Sequence, residues 1–136
     1  MAQKLTVGLA GDITLQRNNA VCGGGAQDGG ESFVLSLLDI NRQADLEISQ
    51  KLAVVDATGG PVALPFPSNL DGRFFYLKIL SGSALEVSID FATQGPTPLP
   101  VKHMILIEPG DNDSIQGITI NSGDASFEWL VTGVEK

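Results

Sequence analysis

Apolar and polar residues alternate with a period of two along most of the chain. Leu5, Val7 and Leu9 are separated by Thr6 and Gly8; Leu46 and Ile48 by Glu47; Leu85, Val87, Ile89 and Phe91 by Glu86, Ser88 and Asp90; Phe127, Trp129 and Val131 by Glu128 and Leu130. Successive side chains of an extended strand point to opposite faces, so this pattern predicts strands with one face in a core and the other in water. The same phase assigns Leu85, Val87, Ile89, Phe91, Phe127, Trp129 and Val131 to the inward side. Residues 33–38, 74–80 and 104–107 are apolar in both phases. They are expected as central strands, or as strands covered on both sides by a second sheet or a partner.

Turn chemistry separates these runs. Ser81-Gly82-Ser83 lies between two long apolar segments and predicts a hairpin, and Thr58-Gly59-Gly60-Pro61, Gln94-Gly95-Pro96, Pro109-Gly110-Asp111 and Asn121-Ser122-Gly123-Asp124 mark further turns. Pro96, Pro98 and Pro100 read as a stiff, extended connector. Asn41, Arg42, Gln43 and Ala44 suit one helical turn, but alternation resumes after Asp45 and argues for strand. About eight or nine short strands at this spacing predict an all-β fold, an antiparallel two-sheet sandwich with jelly-roll topology favoured over a closed barrel. Residues 17–30 break the pattern with five glycines, and predict a flexible loop, either a plain surface loop or an arm that orders against a neighbour.

The chain has 136 residues, which fits a single sandwich domain over 1–136. A domain of this size buries roughly two-thirds of the surface that its unfolded chain exposes, enough for a core without staples. Its single cysteine, Cys22, permits no intrachain disulfide. The start, Met-Ala-Gln-Lys-Leu-Thr-Val, lacks the apolar stretch of a signal peptide, so folding in a reducing cytoplasm is expected. No apolar run approaches the roughly 20 residues of a membrane helix. Sixteen acidic residues against eight scattered basic ones give a formal charge of −8. Such a surface repels phosphate backbones, which argues against direct contact with nucleic acid or anionic membrane.

The residues that could carry chemistry form no convincing constellation. Cys22 and His103 are the only cysteine and histidine, and Cys22 lies in the glycine-rich segment, where a nucleophile would be poorly held. Two such ligands are too few for zinc. Gly23-Gly24-Gly25 is not followed by Gly-Lys-Ser/Thr, and Gly8-Leu9-Ala10-Gly11 lacks the dinucleotide fingerprint. Glu108, Asp111, Asp113 and Asp124 could offer oxygens to calcium, but Ile115 stands in the third ligand slot of the EF-hand spacing, and the alternative is a solvated turn rich in Asp and Asn. Glu86, Asp90 and Glu128 lie on alternating strands and could serve as paired carboxylates for glycoside hydrolysis. Such enzymes add aromatic platforms, however, and the one Trp, one Tyr and six Phe here include several at core-phase positions. In a module that only binds sugar, the exposed aromatic would have to be Tyr76 or Trp129. The sequence therefore assigns no catalytic, cofactor-binding or metal site and no cofactor.

The segments Phe-Phe-Tyr-Leu-Lys-Ile-Leu-Ser-Gly-Ser-Ala-Leu-Glu-Val-Ser-Ile-Asp-Phe-Ala and Ile-Thr-Ile-Asn-Ser-Gly-Asp-Ala-Ser-Phe-Glu-Trp-Leu-Val-Thr-Gly, from Arg73 onward, carry a resemblance of texture over about half the chain. They resemble the small jelly-roll cement, or decoration, proteins of tailed-bacteriophage capsids. The resemblance implies a non-enzymatic, homo-oligomeric virion protein. Such a protein is made in the host cytoplasm and bridges major capsid protein subunits on the outside of the shell. The alternative is a carbohydrate- or receptor-binding sandwich of a phage tail or cell surface.

Overall fold

The computed structural model describes residues 5–9, 12–16, 32–36 and 40–136. They form twelve strands and no helix: β1 Leu5–Leu9, β2 Asp12–Gln16, β3 Ser32–Ser36, β4 Ile40–Ala44, β5 Leu46–Asp56, β6 Val62–Ala63, β7 Leu70–Gly82, β8 Leu85–Phe91, β9 Gly95–Val101, β10 Met104–Ile107, β11 Ile115–Ser122 and β12 Asp124–Glu135. The chain divides into two compact units, one containing Gln43–Lys136 and one spanning Thr6–Arg42. In the N-terminal part the strands pair locally, β1 with β4 and β2 with β3. The helical turn suggested at 41–44 is strand β4, its backbone paired with β1. The loop expected at 17–30 lies outside the described residues.

The larger unit is an antiparallel sandwich. One sheet runs β5-β12-β7 with β10 on the far side of β7; the other runs β6-β11-β8-β9. A single residue pair, Ile115 with Gly72, joins them. The pairing is nested: β8 with β9, β7 with β10, β6 with β11 and β5 with β12. Four nested antiparallel pairs folded over into two four-stranded sheets are the jelly-roll topology.

The inward phase holds. Leu85, Val87 and Ile89 on one sheet and Phe127, Trp129 and Val131 on the other are buried in one cluster with Phe75, Leu77, Ile118 and Ile120, and Phe91 packs at its edge. The Trp129 indole N–H, which burial would otherwise strand, donates to Gln50 Oε1 at 2.8 Å. Strand β5 changes phase. Leu46 and Ile48 pack against the core, but so do Ala53 and Val55, because a register shift sets Phe127 opposite Ala53 and Trp129 opposite Gln50. One extra residue in β5 reverses its alternation.

Two features depart from the sequence expectation. Ser81-Gly82-Ser83 does not close a hairpin, since β7 and β8 lie in different sheets. It is a corner, interlocked with the matching corner between β11 and β12. The Ser83 N–H donates to the Asp124 carbonyl (2.9 Å), and the Asp124 N–H donates to Ser83 Oγ (3.0 Å). Gly82 and Gly123 have φ of 100° and 109°, and a Cβ on either would lie 2.5 Å from a backbone oxygen of the opposing corner. The second departure is Pro96, Pro98 and Pro100, which form the edge strand β9 rather than a connector. Thr97, Leu99 and Val101 face inward and pair with β8, so all three prolines fall where a backbone N–H would point away from the ladder.

Two outcomes test this packing. Phe127→Ala, at a fully buried site, is expected to lower stability by about 3–5 kcal/mol in urea melts. Gly123→Ala is expected to lower it by about 2–3 kcal/mol, although it removes no contact, because it forces both an unfavourable φ and a clash.

Candidate functional site

The residues singled out for chemistry are dispersed by the fold. Glu86 and Asp90 alternate with the inward residues of β8 and so face outward from one sheet; Glu128 does the same on β12, in the other sheet. Glu128 is thus on the opposite outer face of the sandwich from the other two. Glu86 and Asp90 are four residues apart along one strand, roughly 13 Å, beyond the roughly 5–9.5 Å at which a glycosidase pair works. The expected trio does not converge. Glu86 instead accepts a hydrogen bond from Asn121 Nδ2 (3.2 Å), and Glu128 accepts one from the Tyr76 hydroxyl (2.8 Å).

The acidic turn is a structural lock. The Asp113 Oδ1 accepts the N–H groups of Thr93 (3.1 Å) and Ser114 (2.9 Å), and its Oδ2 accepts the Thr93 hydroxyl (2.9 Å). Burial pushes the Asp113 carboxyl up, but hydrogen bonds from Ser114, Thr93 and Ala92 outweigh it and hold the group below its ordinary value. The Arg73 guanidinium donates to the carbonyls of Asp111 (3.3 Å) and Asp113 (2.8 Å), so a protein cation already uses oxygens that a calcium loop would offer. Asp124 is at the other end of β11, roughly 25 Å away along the strand. Beside this turn, Gln116 Nε2 donates to Asp71 Oδ1 (2.7 Å) and to Ser114 Oγ (2.6 Å), next to the Gly72–Ile115 pair that joins the sheets. Among the described residues no cluster of three or more His, Cys, Asp or Glu is placed to hold a metal ion.

His103 lies between β9 and β10 and is exposed; its carbonyl accepts the Ile79 N–H at 2.8 Å. Cys22 lies outside the described residues. With Lys102, His103 borders an open, largely apolar cleft of about 680 Å³ whose walls include Ile79, Leu80, Pro100 and Val101. A smaller hollow of about 230 Å³ lies over β12, bordered by Gln50, Lys51, Tyr76, Glu128 and Leu130. Of the two aromatics considered for sugar stacking, Trp129 is in the core, while Tyr76 is partly exposed.

What the sequence did not isolate is the exposed apolar surface of one sheet. Leu52 (66% exposed) and Val54 (76%) stand on β5, Leu80 (46%) at the end of β7, and Met104 (58%) and Leu106 (37%) on β10. The apolar run at 104–107 was the available signal: β10 pairs on one side with β7, and its Met104 and Leu106 are exposed. Comparison of the chain with protein-family models, characterised proteins and solved structures returns no match.

Tyr76 gives this region a spectroscopic handle, because it is the only tyrosine. Burial first, then the hydrogen bond to Glu128 and the charge of Glu128, push its hydroxyl up to about 12. Tyrosinate absorbance should therefore titrate near that value in the folded protein, and Glu128→Gln should lower the midpoint without restoring it fully, since burial remains. A folded-state pKa above the unfolded one means that the contribution is intact below about pH 10 and is lost as pH rises toward the folded value. Asp113 acts in the opposite direction. Its contribution is present above the unfolded carboxyl pKa and is lost as pH falls through the lowered folded value, so Asp113→Asn should flatten the acid limb of the melting temperature against pH.

Proposed function

We propose that this chain is a non-enzymatic virion structural protein, a decoration protein that binds the outside of a bacteriophage capsid and bridges major capsid protein subunits. The observation that carries the reading is the exposed apolar surface on β5, β7 and β10 of a sandwich whose core is already complete. An acidic body with such a surface is suited to finishing its burial against other proteins. The jelly-roll pairing agrees with the textural resemblance of the C-terminal half to capsid cement proteins. The charge of −8 suits an outer position, because a lumenal one would set it against packaged DNA. The glycan-binding alternative is less well supported, because Trp129 is buried and the Tyr76 hydroxyl is engaged by Glu128.

The physical basis of such a role is mass action. A binder whose composite site exists only where shell subunits adjoin stabilises the shell over free subunits. Purified protein added to expanded shells that lack it is expected to bind stoichiometrically and to raise their rupture temperature. Shells that neither bind it nor change their rupture temperature would overturn the proposal.

A further inference from the structure

We propose that copies of this chain associate head to tail through the two edges of one sheet, β10 of one copy pairing antiparallel with β5 of the next. This inference goes beyond the capsid role and does not depend on it.

The four edges of the sandwich are not equivalent. In the β6-β11-β8-β9 sheet, β6 is two residues long, and β9 presents Pro96, Pro98 and Pro100 where an incoming strand would need N–H donors. Neither device protects the other sheet, whose edges β5 and β10 contain no proline.

The backbone groups on these edges match. The Ile79 N–H donates to the His103 carbonyl (2.8 Å), in the register that sets Lys78 opposite Met104. Antiparallel pairs alternate between bonded and non-bonded, so the N–H and C=O of Met104 and Leu106 point away from β7. The Ala57 N–H donates to the Gly123 carbonyl (2.8 Å), in the register that sets Asp56 opposite Asp124. By the same alternation, the N–H and C=O of Val54 and Asp56 point away from β12. The strand directions also match. Every neighbour in this sheet is antiparallel, so β10 runs opposite to β5, and a copy in the same orientation presents its β5 antiparallel to β10.

One register satisfies the side chains as well. Setting Met104 against Val54 places Leu106 against Leu52 and Lys102 against Asp56, all on the outer face. It joins the four most exposed apolar residues of the two edges. The Asp56 carboxylate receives both Thr58 donors on Oδ1, which leaves Oδ2 for the Lys102 ammonium. Charge disfavours a two-fold contact between β5 edges, and only the heterologous pairing covers the apolar residues of both edges. The β5 edge carries Glu47, Lys51 and Asp56, whereas Lys78, Lys102 and His103 lie around the start of β10 with Glu108 beyond its end. Two β5 edges would bring Asp56 of each copy beside Glu47 of the other. Two β10 edges paired about Ile105 would set Lys102 against Glu108 without a charge conflict, but would leave Leu52 and Val54 on both β5 edges uncovered, whereas the heterologous contact uses both edges. A heterologous contact repeats, closing into a ring or continuing as a filament.

Sedimentation velocity on the full chain is expected to reveal concentration-dependent association. Val54→Pro and Met104→Pro each delete an outward N–H without touching the internal ladder. Each should weaken association by roughly tenfold or more through the lost hydrogen bonds, with circular dichroism unchanged. Disulfide trapping in a Cys22→Ser background gives an independent reading. Val54→Cys mixed with Met104→Cys should cross-link into mixed dimers, and neither variant alone should do so. A wild-type chain that stays monomeric up to its solubility limit, or a single cysteine variant that cross-links to itself as fast as the mixture, would overturn the proposal.

Discussion

The fold depends on β12 lying between β5 and β7. Its ladder with β7 runs from Ala125–Gly82 to Glu135–Leu70, and its other edge holds β5 over nearly the same length. The inward face of this strand supplies Phe127, Trp129 and Val131, so the pairing that sets the register also places the largest side chains of the core. Because β5 and β12 are the outermost of the nested pairs, their contact joins residues far apart in sequence. The pairs inside them, down to the β8–β9 hairpin, must have compatible registers for it to close. Folding of such a topology is governed by non-local contacts, and the interlocked corners at Gly82 and Gly123 are where that closure is fixed.

The polar residues are spent on the same task. Asp113 ties the β8–β9 turn to the start of β11, Arg73 holds the acidic turn by its carbonyls, and Asp71, Ser114 and Gln116 brace the joint between the sheets. Buried side-chain polar atoms without partners are absent among the described residues. The surface left for recognition is therefore apolar strand and unpaired backbone. Most of it lies on the edges and outer face of one sheet; the other, where Val62 on β6 is the exposed large apolar residue, is closed at its edges by prolines and by the shortness of β6.

Much of this was legible in the sequence, for identifiable reasons. Strict alternation in β8 and β12 fixed their inward faces, because a side chain's face follows from parity alone. Parity failed at β5, where one extra residue near Lys51 reverses the phase, and a bulge has no compositional mark there. Turn chemistry located Gly82 but not its role, since a hairpin and a corner between sheets call for the same residues. The three prolines were misassigned because proline usually argues against a strand. Their spacing of two, which keeps every missing N–H on the free edge, was the overlooked clue. The faces of Glu86 and Glu128 could not be compared without knowing that β8 and β12 belong to different sheets.

The central claim, that one sheet is left open at both edges for the opposite edge of another copy to complete it, is tested most directly by amide hydrogen exchange resolved by residue at low and high protein concentration. The account predicts that the amides of Val54, Asp56, Met104 and Leu106 exchange freely when dilute and gain protection together as concentration rises, while those on the proline-bearing β9 edge do not change. Equal exchange of these four amides at both concentrations, or protection that appears elsewhere on the sandwich instead, would contradict it.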